Sequence, residues 1–309
     1  WYSSGSGFFF FHTSYNPGRF LYFQTSRDGI EWSSRTLLAA IDEGHYQVSC
    51  EKEGNLATAF NYHPAAFRGD SSRKGLNWRT NLYYLETRDF GATWQGADGT
   101  TVSLPVTQVQ HPALVRDYES EGKLVYLCDL NFDRSGAPVV LYVLADSWQP
   151  GPEHGEREWW VAHRKAGTWV FHRVTAADSN YDAGSIYIEK DGTWRIIAPT
   201  EQGPQPYNPG GEVAVWLSRD EGATWYKRRQ VTRGSLFNHT YCRRPVNAHT
   251  EFYAFWADGH ARRPSESRLY FCDKTGRRVF RLPYVMDRDT AKPERVPFRP
   301  GAKSPSNVW

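Results

Sequence analysis

A short turn pattern recurs along this chain, and it restricts the fold to one assembled from repeated β-hairpins. Thr87-Arg-Asp-Phe-Gly-Ala-Thr-Trp94 and Ser218-Arg-Asp-Glu-Gly-Ala-Thr-Trp225 share the sequence S/T-x-D-x-G-x-T-W. Ser26-Arg-Asp-Gly-Ile-Glu-Trp32 is one residue shorter. Lys165-Ala-Gly-Thr-Trp169 and Cys272-Asp-Lys-Thr-Gly276 are degenerate copies. In such a turn the Asp carboxylate accepts hydrogen bonds from nearby backbone N–H groups. The Gly takes a positive φ that other residues resist, and the Trp folds back to bury a large ring. Copies fall roughly 55 to 75 residues apart, the length of a four-stranded blade with its loops.

Alternating apolar segments (LYFQTS, NLYYLE, EWWVAH, EVAVWL, SRLYF) precede the copies and read as strands. Aromatics make up 16% of the residues, with 13 Trp, which suits pleated, half-buried surfaces. The expected fold is therefore all-β, a single β-propeller domain over residues 1–309. Five blades are expected at about 7–41, 45–104, 111–175, 178–233 and 237–284. Blade one shows three strands, and Arg295 to Pro300 in the tail 285–309 is expected to supply the fourth and close the ring. Blade three has spare strand material, including ALVRDY, which leaves room for a short sixth blade.

The net charge of +3 is small and interspersed, which argues against a nucleic-acid partner. No stretch is long and apolar enough to span a membrane as a helix. The chain begins at Trp1 without Met, so an N-terminal segment is expected to have been processed or trimmed. Cys50, Cys128, Cys242 and Cys272 are scattered in strand-like runs and are expected to be buried thiols, which leans toward a reducing, cytoplasmic compartment.

If the repeat turns lie at one end of the sheets, the residues that open each first strand and close each second strand gather at the other end. Those positions are polar. The second blade offers His45, Tyr46, Asn61 and His63, and the first adds His12 and Tyr15. His111 is expected to open the third blade. The fourth offers Asn180, Tyr181, Asp182 and Glu201, and the fifth His239, Tyr241, Arg243 and Arg244. Imidazole suits proton transfer near neutral pH, and aromatic faces suit sugar rings. The expected partner is a carbohydrate.

The repeat resembles the Asp-box, or bacterial neuraminidase repeat, of sialidases and related propellers. The stretch His45-Tyr-Gln-Val-Ser followed by Ala-Phe-Asn-Tyr-His63-Pro resembles a subgroup that includes ulvan lyases and rhamnosyl-glucuronate-cleaving enzymes. That resemblance implies two histidines on one blade, matched here by His45 and His63, with a tyrosine and an arginine on later blades. His111 stands where that subgroup's Tyr-Pro is expected, whereas Tyr181 and Arg244 occupy comparable places on neighbouring blades. The implied activity is β-elimination in a uronate-containing glycan. His63 would be the base, Tyr181 the acid, and His45, His239 and Arg244 would bind the carboxylate. Arg243, His111, Tyr46, Asn61, Glu201, Tyr241 and Trp78 are the further candidates for binding substrate.

Two other readings stay open. Hydrolysis needs paired carboxylates, for which Glu201 and Asp182, with Tyr241, are candidates. A glycan-binding protein without catalysis needs only the aromatic rim. No cofactor is expected. A divalent metal would fit either converging imidazoles or the calcium-style run Asp129-x-Asn131-x-Asp133-x-x-Gly136, which lacks the downstream Glu. The loops Ala65–Trp78, Ser147–Arg157 and Gln202–Gly211 are long enough to serve as walls of a site.

Overall fold

The computed structural model describes residues 1–3 and 5–297. Short strands separated by Gly-, Asp- and Asn-rich turns cannot cross over, so each pairs with its chain neighbour. The first sheet is β1 (Tyr2–Ser3), β2 (Gly7–Ser14), β3 (Phe20–Ser26) and β4 (Thr36–Ala39). The second is β5 (Gln47–Lys52), β6 (Asn55–Tyr62), β7 (Thr80–Thr87) and β8 (Leu114–Arg116). The third is β9 (Leu124–Phe132), β10 (Pro138–Ala145), β11 (Arg157–Lys165) and β12 (Thr168–Ala176). The fourth is β13 (Ser185–Ile188), β14 (Trp194–Glu201), β15 (Glu212–Ser218) and β16 (Tyr226–Gln230). The fifth has β17 (Asn238–Arg243), β18 (Ala254–Gly259), β19 (Leu269–Cys272), β20 (Val279–Arg281) and β21 (Glu294–Val296).

Two compact units are distinguished, one of Trp1–Trp148 with Val161–Phe171, the other of Gln149–Trp160 with the chain from His172 onward. In the first, β6 and β7 are buried along their whole length, polar residues included. Glu86 on β7 is tolerated there because Tyr84 Oη (2.6 Å), Asn55 Nδ2 (3.0 Å) and Gln95 Nε2 (2.8 Å) all donate to it. In the second unit, Ile197, Val213, Val215, Trp256 and Tyr270 pack in one core cluster.

The repeat turns form as their chemistry requires. Asp89 Oδ1 accepts from Thr93 N (2.8 Å), and Thr87 Oγ1 accepts from Gly91 N (2.8 Å). Gly91 sits at φ +96°, and Trp94 is buried against Phe9, Phe11 and Phe23. Asp220 repeats these bonds to Thr224, and Asp28 caps Ile30 and Glu31 in the shorter copy.

Two boundaries differ from expectation. The first sheet takes its fourth strand from Tyr2–Ser3, paired with β2, whereas Glu294–Val296 pairs with β20 at the edge of the fifth sheet. Residues 298–300 lie outside the described residues. The segment ALVRDY closes the second sheet, because Leu82 pairs with Arg116 and Tyr83 with Leu114, so the third begins at Leu124. All four cysteines are buried thiols. No helix among the described residues is long and apolar enough to cross a membrane.

Candidate active site

The β5–β6 hairpin pairs Gln47 with Phe60, which brings the residues before β5 and after β6 to one end. The backbone continues the pairing: Asn61 N donates to Tyr46 O (3.2 Å) and His63 N to Gly44 O (2.9 Å). Arg19, from the β2–β3 turn, joins them. His45 N donates to Arg19 O (2.7 Å), and Arg19 bridges Gly44.

His45 and His63 look equivalent in sequence but have different environments. His45 is fully buried, and both its ring nitrogens serve the backbone. Ile41 N–H donates to Nε2 at 2.9 Å, which leaves Nδ1–H to donate to Asn61 O at 2.8 Å. Burial holds its pKa down to about 4. The ring thereby staples the hairpin to the preceding loop. His63 Nδ1 bonds Gly44 O at 2.9 Å, whereas its Nε2 is buried with no hydrogen-bond partner among the described residues. Burial first, then the Arg19 and Arg79 charges, lower its pKa to about 3, so the ring is neutral.

Two guanidiniums act electrostatically on that ring, those of Arg19 and Arg79. Arg79 stacks over Tyr46 at 4.3 Å and Tyr126 at 5.2 Å. Arg19 has Nε and Nη2 buried without a hydrogen-bond acceptor among the described residues. Tyr46 lies edge-on to His63, with ring centroids 5.0 Å apart. Its pKa is raised by burial and by a hydrogen bond with Tyr15, so the phenol keeps its proton. A neutral base, a neutral phenol and two guanidiniums thus meet in one unit. That set can bind a carboxylate and move a proton beside it.

Asn61 belongs to the frame, since its Oδ1 accepts from Tyr46 N (3.1 Å) and its Nδ2 donates to Val125 O (2.9 Å). Trp78 stacks on Phe67 at 5.0 Å and under Arg73 at 5.5 Å, which ties down the 65–78 loop next to Arg79. His111 is not at this end. It precedes β8, whose last residue, Arg116, pairs near the start of β7, so His111 is displaced toward the repeat turns. Sequence reasoning missed Arg19. The available signal was Gly44 directly before His45.

In the second unit many expected site residues anchor loops. Asp182 is buried and accepts from Gly210 N (2.8 Å), and Asp178 accepts from Tyr207 N (3.2 Å), which holds the 202–211 loop. Asn180 Oδ1 accepts from buried Arg157, which also caps Gly151 O and Gly155 O. His239 has both nitrogens engaged: Trp256 Nε1–H donates to Nδ1 (2.9 Å), and Nε2 bonds Ser235 Oγ (2.8 Å). That tautomer places the proton on Nε2, so His239 cannot accept the Ser235 proton, and the ring is buried and neutral. Its pKa is lowered to about 4 by burial.

Glu201 pairs with Lys227 (2.7 Å). Tyr241 is half exposed, with the Arg243 guanidinium 5.3 Å from its ring centre. Arg244 N donates to Ser185 Oγ (3.1 Å), and Tyr181 N to Ser179 Oγ (3.3 Å). The calcium-style run is a strand and its turn. Asp129 and Asn131 lie on β9. Asp133 caps Ser135 N (2.8 Å) and Ala137 N (2.9 Å) and meets His163 Nε2 (2.9 Å). Among the described residues no group of three or more His, Cys, Asp or Glu side chains is arranged to hold a metal ion.

The five antiparallel sheets and their Asp-capped repeat turns define an all-β repeat fold. Residues 47–179 match the model of the BNR repeat-containing family. No curated protein matches it. A PL25 ulvan lyase, solved bound to -[GlcA(1-4)Rha3S]-, superimposes with TM-score 0.67 at 14% identity over 86% of this chain and 62% of the lyase. The chain thus spans less than two thirds of that protein's length. A protein of unknown function from Dyadobacter fermentans DSM 18053 gives 0.54 at 16% identity, over 94% of this chain and 75% of its own. The Hadza microbial sialidase Hz136 gives 0.52 at 12% identity, over 85% and 52%. Identities this low make the likeness one of fold.

Proposed function

We propose that this chain cleaves a uronate-containing polysaccharide by β-elimination, at Arg19, Tyr46, His63 and Arg79. The observation that carries the reading is the buried, unsatisfied Nε2 of a neutral His63 within electrostatic reach of two guanidiniums. Buried acceptors are rarely left unmade without a purpose. The uronate carboxylate lies against Arg19 and Arg79, which stabilises the charge that develops on it as the C5 proton leaves. That proton goes to His63 Nε2. The C5–H electrons form the C4–C5 double bond, the C4–O bond breaks, and the leaving oxygen takes the Tyr46 proton. Exchange with solvent returns the His63 proton and restores the Tyr46 phenol.

The bound carboxylate also tunes the base. The guanidinium charges that help hold His63 near pKa 3 are offset by the substrate's own negative charge, so its proton affinity rises when substrate is in place. Tyr46 takes the acid role first expected of Tyr181, because it lies in the same unit as His63 and keeps its proton at neutral pH. The five sheets are read as five blades of a propeller.

The test is incubation with a panel of uronate-containing polysaccharides while ultraviolet absorbance of the unsaturated product is followed. A rise that disappears in His63→Ala supports elimination. New reducing ends without absorbance would move the case to hydrolysis.

A further inference from the structure

The second unit holds a groove of about 520 Å³ that none of this chemistry uses. It runs between β16 and the outer strands β19 to β21. Its lining includes Arg229, Arg233, Arg268, Arg277, Arg281 and Arg295, against only two carboxylates, Asp258 and Glu266. The excess of four positive charges is larger than the +3 of the whole chain, so the basic character is concentrated here and not spread evenly.

Part of this set is engaged by neighbours, two of the arginines in ion pairs. Arg281 pairs with Glu294 (3.0 Å), Arg268 with Glu266 (3.0 Å), and Arg233 donates to Gln230 (3.0 Å). Asp258 is turned to its own hairpin, where Arg268 N (2.7 Å) and Tyr270 Oη (2.8 Å) donate to it. Among the described residues the side chains of Arg229, Arg277 and Arg295 form no ion pair and no hydrogen bond. They come from three different strands or turns. Beneath them the surface is apolar: Val231, Val279, Val296 and the Tyr270 ring. Gly276 lets the β19–β20 turn settle on this floor, since a Cβ there would lie 2.9 Å from Val231 Cγ2.

We propose that this groove binds an acidic polysaccharide segment, separate from the segment being cleaved. The inference rests on the reading that the chain acts on an acidic glycan. Guanidinium forks match carboxylate and sulfate oxygens in pairs, and a narrow apolar floor suits the C–H face of a sugar ring. The volume falls in the range of small-ligand pockets, about 300–1,000 Å³, enough for a short stretch of chain. Bound there, a polymer stays at high local concentration after each cleavage.

The probe is chondroitin sulfate, a sulfated uronate polysaccharide, with dextran and polyphosphate as controls. Binding is measured by affinity electrophoresis in a His63→Ala background, where no cleavage interferes. The triple variant Arg229→Ala/Arg277→Ala/Arg295→Ala is expected to weaken retardation by chondroitin sulfate at least tenfold. The double variant Arg277→Ala/Arg295→Ala removes two exposed side chains from the surface only, and is expected to show an intermediate loss. Dextran should retard none of them. Retardation of the triple variant equal to that of its parent would overturn the proposal, as would no retardation of the parent. Competition by polyphosphate as effective as that by the glycan would replace the glycan with a generic polyanion. Groove-dependent binding with no cleavage of any uronate polymer by the wild-type chain would sink the lyase reading and leave the groove standing.

Discussion

A Cβ on Gly44 would lie 2.4 Å from the carbonyl oxygen of Arg19. That approach brings an arginine from the first sheet beside a histidine of the second. Gly44 also sits at φ +102°, which L side chains resist. Gly44→Ala is therefore expected to cost about 2 kcal/mol of stability and to lower turnover by displacing Arg19. Urea unfolding and initial rates check both, and an Ala variant as stable and active as wild type contradicts the geometry.

The two histidines of this hairpin separate stability from activity. His63→Ala should reduce turnover by roughly 10²–10⁴, the usual weight of a general base, with little change in unfolding midpoint. His45→Ala leaves Ile41 N–H and Asn61 C=O unmatched and should destabilise by about 1–3 kcal/mol. The reverse pattern would exchange their roles.

Arg19 makes a sharper case. Its Nε and Nη2 gain no hydrogen bond from the described residues, so Arg19→Ala should leave stability nearly unchanged. Affinity for uronate oligosaccharides should fall by about 1.5–3 kcal/mol, the worth of a charged hydrogen bond. KM rises in this variant, and calorimetric binding with the His63→Ala background reads the loss directly.

Stability should depend on pH through the buried histidines. His45, His63 and His239 have folded pKa values lowered from 6.5 to about 4, 3 and 4. Below 6.5 the unfolded chain takes up protons that the folded chain refuses, so their contribution is complete above 6.5. It is lost progressively as pH falls toward 4 to 3. Urea unfolding across that window should show a steep decline, and a flat profile would mean that these rings are accessible to water.

The repeat turns are testable one at a time. Asp89 has its pKa lowered by hydrogen bonds from Thr93, and Asp89→Ala removes the acceptor of those bonds. A loss of about 1–3 kcal/mol is expected. Trp94→Ala, which empties the space between Phe9, Phe11 and Phe23, should cost about 3–5 kcal/mol. Thermal unfolding that ranks them the other way would mean the turn, and not the ring, holds the two sheets.

Local chemistry was legible in the chain itself. The turn at Thr87–Trp94 is made by residues a few positions apart, so Asp, Gly and Trp announce it before any folding. The same holds for the alternating strands, and for the hairpin that returns His63 to the neighbourhood of His45. Tertiary structure decided what could not be local. Which histidine keeps a vacant nitrogen depends on Ile41 N–H reaching Nε2 of His45 while no donor among the described residues reaches Nε2 of His63. Arg19 arrives by an approach between sheets that no spacing encodes. Arg229, Arg277 and Arg295 look dispersed until folded strands bring them to one groove. Asp182 and His239 read as chemistry, yet both are buried and partnered inside the fold, Asp182 by the Gly210 N–H and His239 by the side chains of Trp256 and Ser235. The sequence determined the all-β repeat and its turns; the packing of one sheet's loops against the next determined which polar side chains were left to do chemistry.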